Sequence, residues 1–109
     1  MNEQTMRLFM LGEAAIELTS ENAPEFLRIA EEAGVRWNDG TLPTSYNPFA
    51  NISREHACRI VHPEHQKMCW GPSAYWESEG FMVVPFEEAV EADADVVSED
   101  ALRSVLLRV

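Results

Sequence analysis

Gly34 divides the best-marked helix of this chain from every residue that could build a site. On its N-terminal side Asn22 is a good N-cap, Glu25 stands at the third helical position as in a capping box, and Pro24 is tolerated in the first turn. Phe26, Leu27, Ile29, Ala30 and Ala33 then recur at helical spacing, and Gly34 supplies the left-handed cap that ends them. On its C-terminal side Val35-Arg36-Trp37 reads as a short strand running into Asn38-Asp39-Gly40, whose Asp-Gly step favours positive backbone angles. A helix with one apolar stripe, followed at once by a strand, packs on a sheet.

The remaining elements fit that frame. Arg7 to Leu11 is a short apolar run that could be a strand, and Ala14 to Thr19 partly alternates apolar and polar, so at least one strand is expected between residues 7 and 19. Pro43 and Pro48 keep residues 41–50 extended, with Tyr46 and Phe49 as anchors of a long ordered loop, the kind of segment that carries binding residues on a rigid scaffold. Residues 52–62 read either as a helix capped by Ser53 or as a strand. The strand is preferred, because Pro63-Glu64 followed by Lys67 to Trp70 supplies a hairpin partner. Ser73 caps a short helix, Ala74 to Glu79, closed by Gly80; Phe81 to Phe86 has the continuous apolar character of an interior strand, with Pro85 marking its end or an edge position. An acidic connection over residues 87–97 leads to a C-terminal helix, 99–108, capped by Ser98, with Leu102, Val105, Leu106 and Val109 on one face that could mediate a homodimer.

The reading is therefore a single domain spanning 1–109, α+β in class, with a small mixed or antiparallel sheet and two or three helices packed mainly on one face. A chain of 109 residues can bury one core without metal or disulfide help. Its formal net charge of −11 repels phosphate backbones and anionic lipid heads, and no local basic patch offsets it, so direct contact with nucleic acid or membrane is not expected. The first residues show no charged-then-apolar leader and no apolar run approaches the roughly 20 residues of a membrane span, which points to the cytoplasm. Cys58 and Cys69 are too few for a disulfide scaffold and are expected reduced.

Across residues 19–90, the pattern Asn22…Glu25-Phe26…Ala33-Gly34-Val35-Arg36-Trp37…Gly40…Pro43-Thr44-Ser45-Tyr46-Asn47-Pro48, then Trp70…Tyr75-Trp76…Gly80-Phe81…Pro85-Phe86, resembles small accessory proteins encoded in bacteriophages and prophages. The shared logic is a helix, a G-x-x-W-x-x-G turn, a Pro-containing loop, a strand pair with Trp, and a short aromatic helix before a final strand. The resemblance implies a setting of phage–host conflict or host takeover and no catalytic residue.

Three groups of side chains could carry chemistry. His56, Cys58, His62, His65 and Cys69 gather every His and Cys into one segment, a donor set familiar from zinc sites. With Pro63-Glu64 as a two-residue turn, His62 would face His65 and Cys58 would face Cys69. Those pairs then stand roughly 13 Å apart at about 3.3 Å per residue, which rules out one tetrahedral ion held by all four. Cys58, Cys69 and His56 could still meet, and a helical segment would bring Cys58 and His62 together; against both stands packing of cysteine as a small apolar residue, with no C-x-x-C spacing present. No metal or other cofactor is assigned.

The second group is aromatic: Trp37, Tyr46, Trp70, Tyr75 and Trp76 suit interfaces or stacking on a base, while for Trp37 and Trp70 the core of a small sheet is the favoured place. Tyr75 and Trp76 are adjacent on a short helix, so only one of them can point inward well. The third group, the many carboxylates, reads as a solvated face. No nucleophile elbow, phosphate-binding glycine loop or His-Glu metal helix is present, so the chain is not expected to be an enzyme. The expectation is a binding protein that blocks a host or defence protein with a basic surface, a nucleic-acid mimic being one form of it. Trp37, Asn38, Asp39, Tyr46, Trp70, Tyr75 and Trp76 would make the contact. The alternative is sequestration of a small nucleotide, stacked on Trp37, Tyr46 or Trp76 with Arg36, Arg54 or Arg59 at the phosphate.

Overall fold

The computed structural model describes residues 1–51 and 54–91. They form a five-stranded mixed sheet with four α-helices, an α+β fold. In chain order the elements are α1 (Glu3–Met10), β1 (Ala14–Leu18), α2 (Ala23–Glu32), β2 (Arg36–Trp37), β3 (His56–His62), β4 (Lys67–Pro72), α3 (Ser73–Ser78), β5 (Met82–Pro85) and α4 (Phe86–Ala89). The strands lie in the order β2-β4-β3-β1-β5, with β2–β4 and β1–β5 parallel and the central pairs antiparallel.

Period-two alternation sends the sheet's side chains into two unequal cores. Ile16, Leu18, Cys58, Ile60 and Met68 meet α1, α2 and α4 on one face. There one phenylalanine from each helix joins an edge-to-face chain: Phe9–Phe26 centroids are 5.4 Å apart and Phe26–Phe86 centroids 6.2 Å, contacts worth about 0.5–1.5 kcal/mol each beyond burial. The opposite face is kept small, with Ala15 and Ala57 beneath α3. Trp76 lies over them, 3.7 Å from the position a Cβ on Gly71 would take, and its indole N–H donates to the Ala57 carbonyl at 3.0 Å.

Several expectations change. Arg7 to Leu11 is not a strand: it is mostly the second half of α1, whose Asn2 cap accepts from the Thr5 amide at 2.8 Å. Asn2 also donates its backbone N–H to the Ala89 carbonyl at 2.6 Å and its side-chain amide to the Glu88 and Glu91 carbonyls at 3.4 and 3.1 Å, which ties the chain's start to the α4 segment. Asn22 does not cap α2, because its backbone is already helical. Its amide oxygen instead accepts from the Thr19 N–H at 2.8 Å and its amide nitrogen donates to Glu87 at 3.0 Å. Ser73 sits inside α3 and donates to Glu17 at 2.8 Å rather than capping the helix. β5 is an edge strand, not an interior one, which suits Pro85, a residue that has no N–H to give a further strand.

The segment from Glu87 begins as the helical turn α4 rather than as a plain connection. The rest of that connection, the expected C-terminal helix 99–108 and Ser53 lie outside the described residues. No helix among the described residues is long and apolar enough to cross a membrane.

A candidate binding cleft at the edge of the sheet

β2 is two residues long because the Asn38-Asp39-Gly40 turn takes the chain out of the sheet. The Gly40 amide donates to the Trp37 carbonyl at 2.8 Å and the Trp37 amide to the Thr41 carbonyl at 3.0 Å. Gly40 takes φ +91°, a conformation that costs a side chain. Asp39 stabilises the turn through Oδ1, which accepts from the Thr41 amide at 3.0 Å and the Thr41 hydroxyl at 2.7 Å. Those two bonds, the amide's first, hold the Asp39 carboxyl below the usual range, and the charge of Lys67 adds a smaller pull.

The loop beyond is wound around the Trp37 side chain rather than extended. Pro43–Ser45 forms a 3-10 turn, and the buried Trp37 indole N–H donates to the carbonyls of Pro43 and Tyr46, both at 3.2 Å. Thr44 pins the turn onto α2: its amide and hydroxyl donate to Glu31 at 3.0 and 2.6 Å. Of the two expected anchors, Phe49 is fully buried, whereas the Tyr46 ring is 51% exposed and stands edge-on to Trp37.

Between this loop and β4 lies a cleft of about 570 Å³. Trp37 forms its floor, Tyr46 and Trp70 are its exposed aromatics, and Asn38, Asp39, Thr41 and Ser45 bring polar groups to it. Met68 and Cys69 complete the β4 side. Trp70 is braced from behind by Phe49, with centroids 5.9 Å apart, and by the His56 ring at 5.5 Å. Since β2 pairs only with Lys67 and Met68, Cys69 to Pro72 of β4 have no strand neighbour on this side among the described residues. Five of the seven residues singled out by sequence thus share one concavity.

Tyr75 and Trp76 do not join them. Both belong to α3, on the other face of the sheet, where Trp76 is buried and Tyr75 is 51% exposed. Trp76 is therefore a core residue rather than a contact, and Tyr75 is the outward member of the pair. The arginines expected to meet a phosphate are also elsewhere. The Arg36 guanidinium donates to the Val35 carbonyl at 2.7 Å and that of Glu31 at 3.4 Å. Arg59 donates to Gly12 at 2.8 Å and lies 3.5 Å over the Phe81 ring, while Arg54 borders a separate polar notch beside Glu17 and Glu55.

The Cys/His hairpin forms with a different register. His62 pairs with Lys67 across a four-residue connection, Val61 is the extra residue of a bulge, and from there Cys58 stands opposite Trp70 and Cys69 opposite Arg59. Alternation then places the two thiols on opposite faces of the sheet. Among the described residues no three His, Cys, Asp or Glu side chains gather as a metal ion would require. Burial pushes the Cys58 thiol well up and the half-buried Cys69 thiol up as well.

Thr41 and Ser45 lie in the loop expected to carry binding residues, though neither is singled out by sequence, and Met68 and Cys69 are the cleft residues that sequence misses. Thr41 had a signal, two places after an aspartate in a turn; the others are brought in by the wound loop and the β4 edge. No protein-family model, curated protein or solved structure matches this chain.

Proposed function

We propose that this chain is a non-catalytic binding protein that docks its acidic surface on a basic face of another protein and blocks it, with the Trp37–Asp39–Tyr46–Trp70 cleft as the contact site. A phage-type accessory role against a host or defence protein is the setting that goes with the resemblance in residues 19–90. The observation that carries the reading is the convergence of Trp37, Asn38, Asp39, Tyr46 and Trp70 on one exposed cleft in a chain of net charge −11. Exposed Tyr and Trp supply contact area at little conformational cost, and the uncompensated negative field speeds encounter with a positive partner. Nucleotide sequestration fits less well, because the cleft's fixed charge is a carboxylate and Arg36 and Arg59 are engaged elsewhere.

The test is native mass spectrometry of the full chain purified from the cells that encode it. The expected result is a stoichiometric protein partner whose association slows as ionic strength rises and is lost in Tyr46→Ala and Trp70→Ala. A nucleotide mass in place of a protein, or a partner indifferent to both salt and these variants, would overturn the reading.

A further inference from the structure

We infer that the cleft accepts the guanidinium of an arginine side chain from the partner, stacked on Tyr46 and Trp70 and paired with Asp39. This inference rests on the binding reading above and names the chemistry of the contact. Three observations carry it. First, the exposed lining is aromatic on opposite elements, Tyr46 from the loop and Trp70 from β4, and each ring is held by a second ring behind it. Braced rings make a preorganised surface for a flat cation.

Second, the charged group in the cleft is anionic and remains so at neutral pH. Both Thr41 bonds fall on Asp39 Oδ1, so Oδ2 keeps acceptor capacity for an incoming N–H. Lys67 is the cation that Asp39 feels from β4, and it competes with a ligand only through the weaker coulombic pull. Third, the polar residues lining the cleft with Asp39 include Asn38 and Ser45, whose hydroxyl donates to the Leu42 carbonyl at 2.6 Å and whose oxygen can accept in turn. A planar, weakly hydrated group with several N–H donors matches aromatic faces and a carboxylate together, which a compact ammonium does less well.

The probe is Nα-acetyl-arginine methylamide, titrated into the full-length protein while the tryptophan indole N–H resonances are followed by NMR, with the citrulline analogue as its neutral counterpart. The expected result is a saturable shift of the Trp70 indole, about three- to fivefold weaker binding of the citrulline compound, and a similar loss in Asp39→Asn. Equal binding of the two compounds, no change in Asp39→Asn, or no saturable shift would overturn the inference, as would a Trp70 shift of equal strength with inorganic phosphate. If the arginine compound fails while a protein partner is still captured in a salt-sensitive way and still lost in Trp70→Ala, the binding reading stands and this chemistry alone falls.

Discussion

The indole N–H of Trp37 donates to the backbone carbonyl of Tyr46 at 3.2 Å, while the Tyr46 ring stands edge-on to that same indole with centroids 6.0 Å apart. A buried residue at the end of a strand thereby fixes both the backbone and the ring of an exposed tyrosine nine positions on. The two sides of this relationship separate by mutation. Trp37→Phe keeps most of the apolar bulk but leaves the Pro43 and Tyr46 carbonyls without that donor, and should cost about 1–3 kcal/mol. Tyr46→Ala removes an exposed ring and should cost about 1 kcal/mol or less. Urea unfolding gives both numbers. Hydrogen exchange should show faster opening across residues 41–49 in the Trp37 variant alone, and equal loosening in both would contradict the clamp.

Cys58 and Cys69 cannot pair, because their strand partners are Trp70 and Arg59 and their side chains leave the sheet on opposite faces. Full burial keeps Cys58 as the unreactive thiol, and the raised Cys69 thiol is slow rather than inert. Iodoacetamide at neutral pH should give at most one adduct on the folded protein, at Cys69, with the second appearing only in denaturant. Intact-mass and peptide-level mass spectrometry check this, and a native adduct at Cys58 or an intramolecular disulfide would show the register to be wrong.

What could be read beforehand divides by the range of the interactions involved. The α+β class, the α2 stripe, a short strand over Val35 to Trp37, the turn through Gly40 and the preference for a hairpin strand within 52–62 all rest on patterns close in sequence, and each is present, with β2 at Arg36–Trp37 and β3 at His56–His62. The hairpin register depended on whether two or four residues make the turn. That choice was set by a left-handed Gln66 at φ 54°, a conformation sequence rarely announces. The strand expected between residues 7 and 19 is β1, and the apolar run from Arg7, which could be a strand by itself, belongs to a helix that starts ahead of it at the Asn2 cap. The cleft was legible as residue types but not as a place: Trp70 reaches it from β4 by way of Phe49 and the β3–β4 register, both non-local. Trp76 is buried rather than exposed because its seat is made by small residues distant in sequence, Ala15, Ala57 and Gly71, from three strands.

Gly12 and Gly40 both have positive φ, at 79° and 91°, yet they should respond differently to alanine. A Cβ on Gly40 meets nothing within 4 Å, so only the backbone conformation is strained, at about 1–2 kcal/mol. A Cβ on Gly12 would stand 2.8 Å from the Ile60 carbonyl oxygen and 3.1 Å from Pro63, and the former is backbone of a central strand. Gly12→Ala should therefore cost about 3 kcal/mol or more, in the range of clashes that force the backbone to move. Thermal or urea unfolding of the two variants decides it, and equal losses would mean that the approach of the α1–β1 turn to β3 is looser than described.

Glu31 gives stability a pH dependence with a defined sign. The Thr44 hydroxyl first, then the Thr44 amide, bind its carboxylate and lower its pKa below the usual glutamate value, with Arg36 adding a weaker pull. A carboxyl whose folded pKa is depressed contributes stability that is fully present above the ordinary unfolded value, about 4.3, and is lost as pH falls through the folded one. Glu31→Gln should therefore unfold at lower urea than the wild type at pH 7, and the gap should narrow steadily below about pH 4.5. Thr44→Val, which deletes the hydroxyl donor but keeps the amide, should close part of the gap from the other side of the bond. Urea midpoints taken from pH 7 to pH 3 test this, because a gap that stays constant over that range would mean that Glu31 holds the 43–45 turn by packing rather than by charge.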